Sequence, residues 1–352
     1  KISLKANRKY SENYSENFII IDNEYNALSP NSFGNFEIST ILINTSFSKS
    51  NENISETFEN FQNNRLVIAQ RLAALNGDFS GDIDEFGFPI GYGKNNQSVL
   101  IPAFLSAYSG KNPESISLNA ISKTPLPSWS LSYSGLMNID FIKERFKRFS
   151  LGHAYRSSYT LNNFKSNLEY DSENTQLTDD SGNYINEFLY TNVNLVEQFN
   201  PLLKIDMELN NSLQIVMSLK KDRALSLSLD NNLLTESSGT DYSIGLGYRI
   251  KDLKFTNRVG GKRKVSKGDL NIKTDLNFRD NITIIRNLNI LDNKVTAGQT
   301  MWSLKTSADY NLSKSFNAIF FYDHLFSKFA ISTAFPMTTI RAGMTLRYSF
   351  GE

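Results

Sequence analysis

Polar and apolar residues alternate along much of the second half of the chain. The clearest example is the final stretch, in which apolar side chains occupy Ile340, Ala342, Met344, Leu346, Tyr348 and Phe350. The residues between them are Arg341, Gly343, Thr345, Arg347 and Ser349. Because successive side chains of a β-strand point to opposite faces, this pattern predicts a strand with one apolar and one polar face.

The same alternation recurs in many other stretches. It is found in residues 2–6, 150–161, 187–195, 203–209, 213–219, 225–229, 242–250, 270–278 and 302–310. Short polar turns are predicted at Asn210–Asn211 and Lys221–Asp222, whereas residues 171–183 are expected to form a longer polar loop. Strands of about ten residues have the length that crosses a bilayer at a tilt of roughly 45°.

The two predicted faces differ in chemistry. Aromatic residues recur near strand ends of the apolar face, at Tyr242, Tyr248, Trp302, Tyr310, Phe316, Tyr322, Tyr348 and Phe350. The other face carries Arg249, Lys273, Asp275, Arg279, Lys305, Asp309, Arg341 and Arg347, which are predicted to face water in a lumen. Charged groups are costly in a dry core, so a packed interior is a poor place for this second face.

Two architectures fit such alternation. In a soluble sandwich the apolar face would form the core, whereas in an outer-membrane barrel it contacts lipid and ends in aromatic girdles. The strand length, the aromatic positions and the contrast of short turns with longer loops favour the barrel. The predicted class is therefore all-β, with transmembrane antiparallel β-barrel strands, one or two short helices and long loops.

The chain divides into two regions by pattern. Residues 1–135 are predicted to contain strands, an amphipathic helix at about 54–75 and a long loop, which together form an insertion in the lumen or the periplasm. This region includes a polar stretch to about residue 32, predicted strands at 36–47, 116–120 and 127–136, and a loop across 77–127. Residues 136–352 are predicted to be C-terminal transmembrane strands that close the barrel, with a short helix at 139–146.

Composition narrows the function classes. The net charge is +1, so nothing indicates the basic surface of a nucleic-acid-binding protein. The chain contains no cysteine, which leaves neither a disulfide framework nor a thiol nucleophile. No apolar run approaches the roughly 20 residues of a transmembrane helix. Residues 1–5 lack the apolar core of a signal peptide, so we expect a fragment whose targeting signal lies upstream.

Candidates for chemistry are few. The two histidines, His153 and His324, fall in predicted strands and are expected to be wall residues, although a base or ligand role stays open. Gly260-Gly261-Lys262 lacks the spacing of a phosphate-binding loop and is expected to belong to a basic hairpin loop. Residues 143–149 combine basic and aromatic side chains, which favours a helix near the membrane interface or the lumen.

One acidic cluster has the oxygen ligands that calcium prefers. It consists of Asp78, Asp82, Asp84 and Glu85. The spacing differs from that of an EF-hand loop, so no metal ion or other cofactor is predicted. No recognisable nucleophile motif accompanies the histidines, and an enzyme is not expected.

Three long stretches resemble one known family. Residues 127–136 (PSWSLSYSGL), 149–160 (FSLGHAYRSSYT) and 326–343 (FSKFAISTAFPMTTIRAG) are similar, in the same order, to the C-terminal region of the SprA/Sov family. Members of that family are outer-membrane translocons of the type 9 secretion system of Bacteroidota. The similarity extends from about residue 115 to the end and is less evident in the first third.

The resemblance implies a C-terminal fragment of a much longer chain, forming part of a very large barrel. It also implies the function: a structural part of a protein-conducting outer-membrane pore that passes folded cargo to the cell surface. The implied partners are the rest of the barrel chain, a PorV-like barrel, a periplasmic plug protein, secreted cargo proteins and outer-membrane lipid. A stand-alone porin or surface-binding barrel is the alternative, and a barrel enzyme is a third hypothesis.

Overall fold

The computed structural model describes residues 1–350 except 22, 29–30, 77–80, 260–261, 291, 312–315 and 332–334. The strands are β1 Ile2–Lys5, β2 Arg8–Ser15, β3 Phe18–Ile21, β4 Glu24–Ala27, β5 Asn31–Ser39, β6 Ser128–Tyr133, β7 Phe146–Ser166, β8 Phe188–Leu189, β9 Asn192–Leu209, β10 Leu213–Ser228, β11 Leu233–Val259, β12 Lys262–Asn287, β13 Asn293–Asn311, β14 Phe316–Phe329 and β15 Met337–Tyr348. The helices are α1 Glu56–Asn76, α2 Gln97–Ser109 and α3 Asp140–Lys143, with 3₁₀ turns at Ile43–Thr45 and Gly135–Asn138. The fold is thus mostly antiparallel β-sheet, which confirms the all-β prediction. Within these residues, no helix is both long enough and apolar enough to cross a membrane.

Most of the strands form a single antiparallel sheet. From β10 to β15, each strand pairs with the strand before it in the chain. β7 pairs with β9 along one side, and with β6 and β5 along the two halves of its other side. β1 continues the sheet beyond β6, and β2 continues it beyond β5. Within the described residues the sheet is open, with β1 and β2 at one edge and β15 at the other.

The central strands are much longer than the ten residues predicted. β11 has 27 residues and β12 has 26. The turn predicted at Lys221–Asp222 was wrong, because both residues lie inside β10. The register there shifts: Leu219 pairs with Leu203, but Lys221 pairs with Phe199. Such a bulge interrupts the pattern without ending a strand. The turn at Asn210–Asn211 is confirmed between β9 and β10.

The first region departs from its prediction at several points. The polar stretch up to residue 32 contains β2, β3 and β4, whose side chains are largely exposed on both faces and so give no alternation. The strand predicted across 36–47 ends at Ser39, where a 3₁₀ turn soon follows. No strand forms at 116–120; Ile116, Leu118 and Ala120 instead pack against the core. The predicted helix at 139–146 is reduced to α3, and β7 begins at Phe146.

Two helices of the first region pack together. The predicted helix at about 54–75 is confirmed as α1, whereas α2 lies inside the segment predicted to be a loop. The α2 sequence is apolar on nearly all sides and contains Pro102, so it lacks the one-sided periodicity that indicates a surface helix. The Asn96 side chain caps its N-terminus, and Gly110, with a φ of 66°, ends it.

We define the helical cap as α1, α2 and the segment Leu42–Ser55 that leads into α1. The cap covers one face of β5, β7, β9, β10 and β11. It lies over the ends of these strands that are farthest from residues 242–250. Side chains from the cap and the strands share one buried core, which includes Phe61, Ile68, Val99, Leu100, Phe104, Tyr159, Leu161, Val193, Leu195, Leu225, Leu227 and Leu234. The elements that were predicted to be an insertion are therefore attached to the sheet by a hydrophobic core.

Candidate functional site: the two faces of the sheet

Beyond the helical cap, the covered face continues as an exposed apolar surface, which we call the apolar zone. The strand register places in it the even-numbered residues of 242–250, 270–278, 302–310, 318–326 and 338–346, with Leu203, Ile205, Met207, Leu213, Ile215, Met217 and Leu219. No Asp, Glu, Lys or Arg occupies these positions. Tyr242 is 50% exposed, Leu246 42% and Met344 54%. Mostly apolar side chains therefore line a continuous surface across seven strands, and many of its large residues are exposed.

The apolar zone spans nine residues of each of its last five strands. Nine to eleven residues is the length of a tilted transmembrane strand. The predicted strands of about ten residues thus correspond to this section alone, and the strands continue well past it. The predicted length was wrong for the strands and fits the apolar zone.

The zone ends in an aromatic row next to a polar row. Tyr242, Phe278, Trp302 and Phe326 are register partners on four successive strands. One step further along the same face, the boundary row consists of Lys221, Thr240, Asp280, Thr300 and Lys328. There the Thr300 hydroxyl donates a hydrogen bond of 2.6 Å to the Asp280 carboxylate. An aromatic belt at the edge of an apolar band is typical of a membrane interface.

The opposite face carries the charged residues that the alternation predicts there. The register places all eight on this face, namely Arg249, Lys273, Asp275, Arg279, Lys305, Asp309, Arg341 and Arg347. Asp275, Lys305, Asp323 and Arg341 are successive register partners, so charges alternate in sign across four strands. Arg341 lies 3.2 Å from Asp323, which belongs to this row although the sequence prediction missed it.

A glycine makes room for one member of this charged row. Gly245 is the register partner of Asp275 on the neighbouring strand. A Cβ atom at Gly245 would lie 3.0 Å from an oxygen of the Asp275 carboxylate. Gly245 therefore leaves space on the polar face for the Asp275 carboxylate of the next strand.

Under the helical cap, the covered face holds a buried ion pair. The Nε atom of Arg286 lies 3.2 Å from the Glu236 carboxylate, and the Arg286 side chain is 0% exposed. Arg286 also donates hydrogen bonds of 2.9 Å to the Ser50 hydroxyl and the Asn51 carbonyl. Glu236 accepts a hydrogen bond of 2.8 Å from Ser50. The pair thus fastens the start of the cap to β11 and β12.

A second buried ion pair lies on the neighbouring strands. Arg223 is 3.0 Å from Glu197, and it donates hydrogen bonds to the Thr45 carbonyl and hydroxyl. Glu197 accepts hydrogen bonds from Ser46 at 2.6 Å and from Tyr155 at 2.7 Å. No sequence signal identified either pair, because charged residues in the apolar phase simply interrupt the alternation. Apart from Tyr155 of β7, their hydrogen-bond partners come from the cap, more than a hundred residues away.

Both histidines lie on the apolar face among aromatic rings. The Nδ1 atom of His153 is 2.6 Å from the Leu202 carbonyl, and its ring centroid is 6.4 Å from that of Trp129. The His324 ring is 4.5 Å from Trp302. These contacts fit the expected role as wall residues.

The acidic cluster does not assemble in the described residues. Asp84 accepts hydrogen bonds of 2.8 Å from the backbone N–H groups of Phe86 and Phe88, so it stabilises a turn. Among the described residues, no three His, Asp or Glu side chains are placed to hold a metal ion. Asp78 lies outside the described residues. The structure thus brings no calcium-binding group together from Asp82, Asp84 and Glu85.

The basic stretch at 143–149 is largely compensated by its neighbours. Arg145 lies over the Phe141 ring, 4.2 Å from its centroid. Lys147 is 3.8 Å from Glu208, and Arg148 is 2.9 Å from Asp206. Most of the stretch belongs to β7, so the interfacial helix predicted here was wrong.

The predicted glycine loop falls partly outside the described residues. Gly260 and Gly261 are not among them, but the strands on both sides pair as far as Val259 and Lys262. The hairpin is therefore confirmed. Lys262, which was predicted to lie in the loop, is the first residue of β12.

Comparison with known proteins gives no identification. No family model matches the chain, and no curated protein matches it significantly.

Proposed function

We propose that this sheet is a section of a transmembrane β-barrel wall in the outer membrane. The observation that carries the proposal is the apolar zone. It is a charge-free band across seven strands, nine residues deep on the last five, and an aromatic row and a polar row bound it at one end. A soluble protein rarely leaves an apolar patch of this extent in water. Lipid is the solvent that such a surface fits.

The polar face supports a water-filled interior. Ion pairs such as Arg341–Asp323 and Arg249–Asp269 lie on it with partly exposed side chains. In a barrel, lipid-facing and lumen-facing residues alternate, so a charged face backing an apolar one indicates a pore rather than a packed core.

The open edges support a larger assembly. β15 and the β1–β2 edge present unpaired backbone groups, which are costly in hydrocarbon unless another strand pairs with them. With the resemblance to the SprA/Sov family, this favours part of a protein-conducting pore of a type 9 secretion system. The proposed partners are the rest of that barrel, a PorV-like barrel, a periplasmic plug protein, cargo proteins and lipid.

Neighbouring residues of β12 provide the test. Because the chain contains no cysteine, Ile272→Cys and Lys273→Cys each introduce a single label site. In membranes containing the full protein, we expect a water-soluble maleimide to label residue 273 and to leave residue 272 unlabelled, because a thiol in lipid stays protonated and does not react. Ser307→Cys, at the register partner of Lys273, should repeat the result for Lys273.

The reverse pattern, with aqueous labelling of residue 272 only, would exclude this orientation. Equal aqueous labelling of both would indicate a soluble sheet. The stand-alone alternative has a separate readout in hydrogen exchange, given by the β15 amides that point away from β14. A chain that closes by itself in detergent would protect these amides, whereas an open section would leave them unprotected.

A further inference from the structure

The helical cap and the apolar zone lie on the same face of the sheet. On β11, Glu236 contacts Ser50 of the cap, and Tyr242, in the same side-chain phase, begins the apolar zone six residues later. Six residues of a strand span about 20 Å. If the apolar zone faces lipid, as the proposed function requires, the cap therefore lies outside the wall, beside the membrane surface. Under the proposed orientation, the cap does not lie in the lumen, whereas the periplasmic position predicted from the sequence stays possible.

Phe47 is the part of the cap next to the boundary row. Its ring centroid is 5.5 Å from that of Phe199, the register partner of Lys221. The Lys221 ammonium lies 4.5 Å from the centre of the Phe47 ring. Although Phe47 is held at this position, it is 58% exposed.

The location of Phe47 is fixed by the buried ion pairs. Thr45 receives hydrogen bonds from Arg223, and Ser46 donates one to Glu197. The two residues that precede Phe47 are thus attached to the sheet, so the exposed ring is presented by a rigid backbone.

We infer that Phe47 and Lys221 form a lipid-anchoring site at the membrane interface, where the ligand is the headgroup region of a phospholipid. Aromatic rings concentrate at headgroup level, and lysine chains extend along apolar surface to reach the phosphates. The boundary row and aromatic row beside the pair place it at that level. The site rests on the proposed orientation of the wall, but it adds a specific contact between the cap and the bilayer.

Phe86 and Lys94 are a matched control pair. The Lys94 ammonium lies 3.4 Å from the centre of the Phe86 ring, and Phe86 is 55% exposed. This pair borders a surface cavity together with Leu229 and Asn232, at the turn after β10. Residue 229 is eight residues along from Lys221, which corresponds to roughly 26 Å of strand. The same chemistry therefore occurs at a position away from the proposed membrane.

The experiment uses single spin labels in the full chain, reconstituted in vesicles of phosphatidylglycerol and phosphatidylcholine with a small fraction of nickel-chelating lipid. The label sites are Phe47→Cys, Phe86→Cys and Leu246→Cys. We expect the nickel headgroups to relax the label at 47 several-fold more than the label at 86. The label at 246 should respond to dissolved oxygen and not to a water-soluble nickel complex. In the Phe47→Cys background, Lys221→Gln should reduce the headgroup effect about twofold.

The outcomes separate the two proposals. If the label at 246 responds to the aqueous complex, the transmembrane orientation is wrong. If 246 lies in lipid but 47 and 86 relax equally, the anchoring site is wrong while the wall remains. An unchanged effect in Lys221→Gln would exclude the lysine as a phosphate ligand.

Discussion

The same face of the sheet is a buried core at one end and an exposed surface at the other. On β10, Leu225 and Leu227 are at most 1% exposed beneath the helical cap. On the neighbouring β11, Leu246 has the same side-chain phase and is 42% exposed. Alternation thus determines which face is apolar, but it does not determine which part of that face other protein elements cover.

The two ends also differ in the charges they contain. The covered end includes Arg286, Glu236, Arg223 and Glu197, each with partners from the sheet or the cap. The apolar zone contains no charged residue. A buried charge is stable only where protein groups pair with it, and lipid supplies no such groups. Burial raises the pKa of the Tyr108 hydroxyl in the cap, so this side chain stays neutral.

The largest expected effect comes from removing one partner of a buried pair. Arg286→Met should lower the free energy of unfolding by about 3–5 kcal/mol, because Glu236 would keep a buried charge without its partner. Denaturant unfolding of the full protein measures this loss, with proteolytic cleavage of the cap as the readout of unfolding. Arg148→Met is the control: its pair with Asp206 is exposed, so the change should stay below about 1 kcal/mol.

Similar losses of unfolding free energy in Arg286→Met and Arg148→Met would contradict the prediction that the buried pair matters more for stability than the exposed pair. The double variant Arg286→Met with Glu236→Leu should recover most of the stability, since well-packed apolar residues often replace a buried ion pair at little cost.

A charge placed in the middle of the apolar zone should have the next largest effect. Leu246 lies in the third of five rows, so Leu246→Arg should destabilise the inserted protein by about 2–4 kcal/mol. Ser243→Arg, on the polar face of the same strand, should be tolerated. The fraction of folded protein recovered in the outer membrane, measured by its heat-modifiable gel mobility, compares the two. Equal recovery would favour water on both faces.

The smallest effect is expected on the polar face. The coupling between Arg341 and Asp323, measured by a double-mutant cycle with Arg341→Gln and Asp323→Asn, should be about 0–1 kcal/mol. It should decrease further at high salt, because the Arg341 side chain is 70% exposed. A coupling of several kcal/mol, independent of salt, would indicate that this face is packed against protein.

The faces of the sheet were predictable from sequence because the place of each residue in the alternation determines the face on which its side chain lies. The position of all eight charged residues on one face follows from that rule. The helix α1 was also predictable from its apolar periodicity, whereas α2 was missed because a helix buried on nearly all sides has none. Short strands were predicted where the structure has long ones, because a bulge interrupts the alternation without ending the strand.

The position of the cap depended on contacts that no local pattern reveals. Ser50 and Thr45 reach Arg286 and Arg223 across more than 170 residues of chain. Pairings of this length depend on the complete packing of cap against sheet. The sequence pattern therefore predicted a sheet with two different faces, but it did not predict which face the helices would cover.

The shift of register in β9 and β10 lies at the level of the boundary row. Leu203 pairs with Leu219, and Phe199 pairs with Lys221. Between these two pairs, β9 therefore has two residues more than β10. A bulge bends its strand and sharpens the local twist. An irregularity of the sheet therefore lies where the apolar zone ends, and it follows from the number of backbone residues in β9. Side-chain substitutions would leave it in place, whereas deleting the two extra residues would straighten the strand and tilt the cap relative to the section below it.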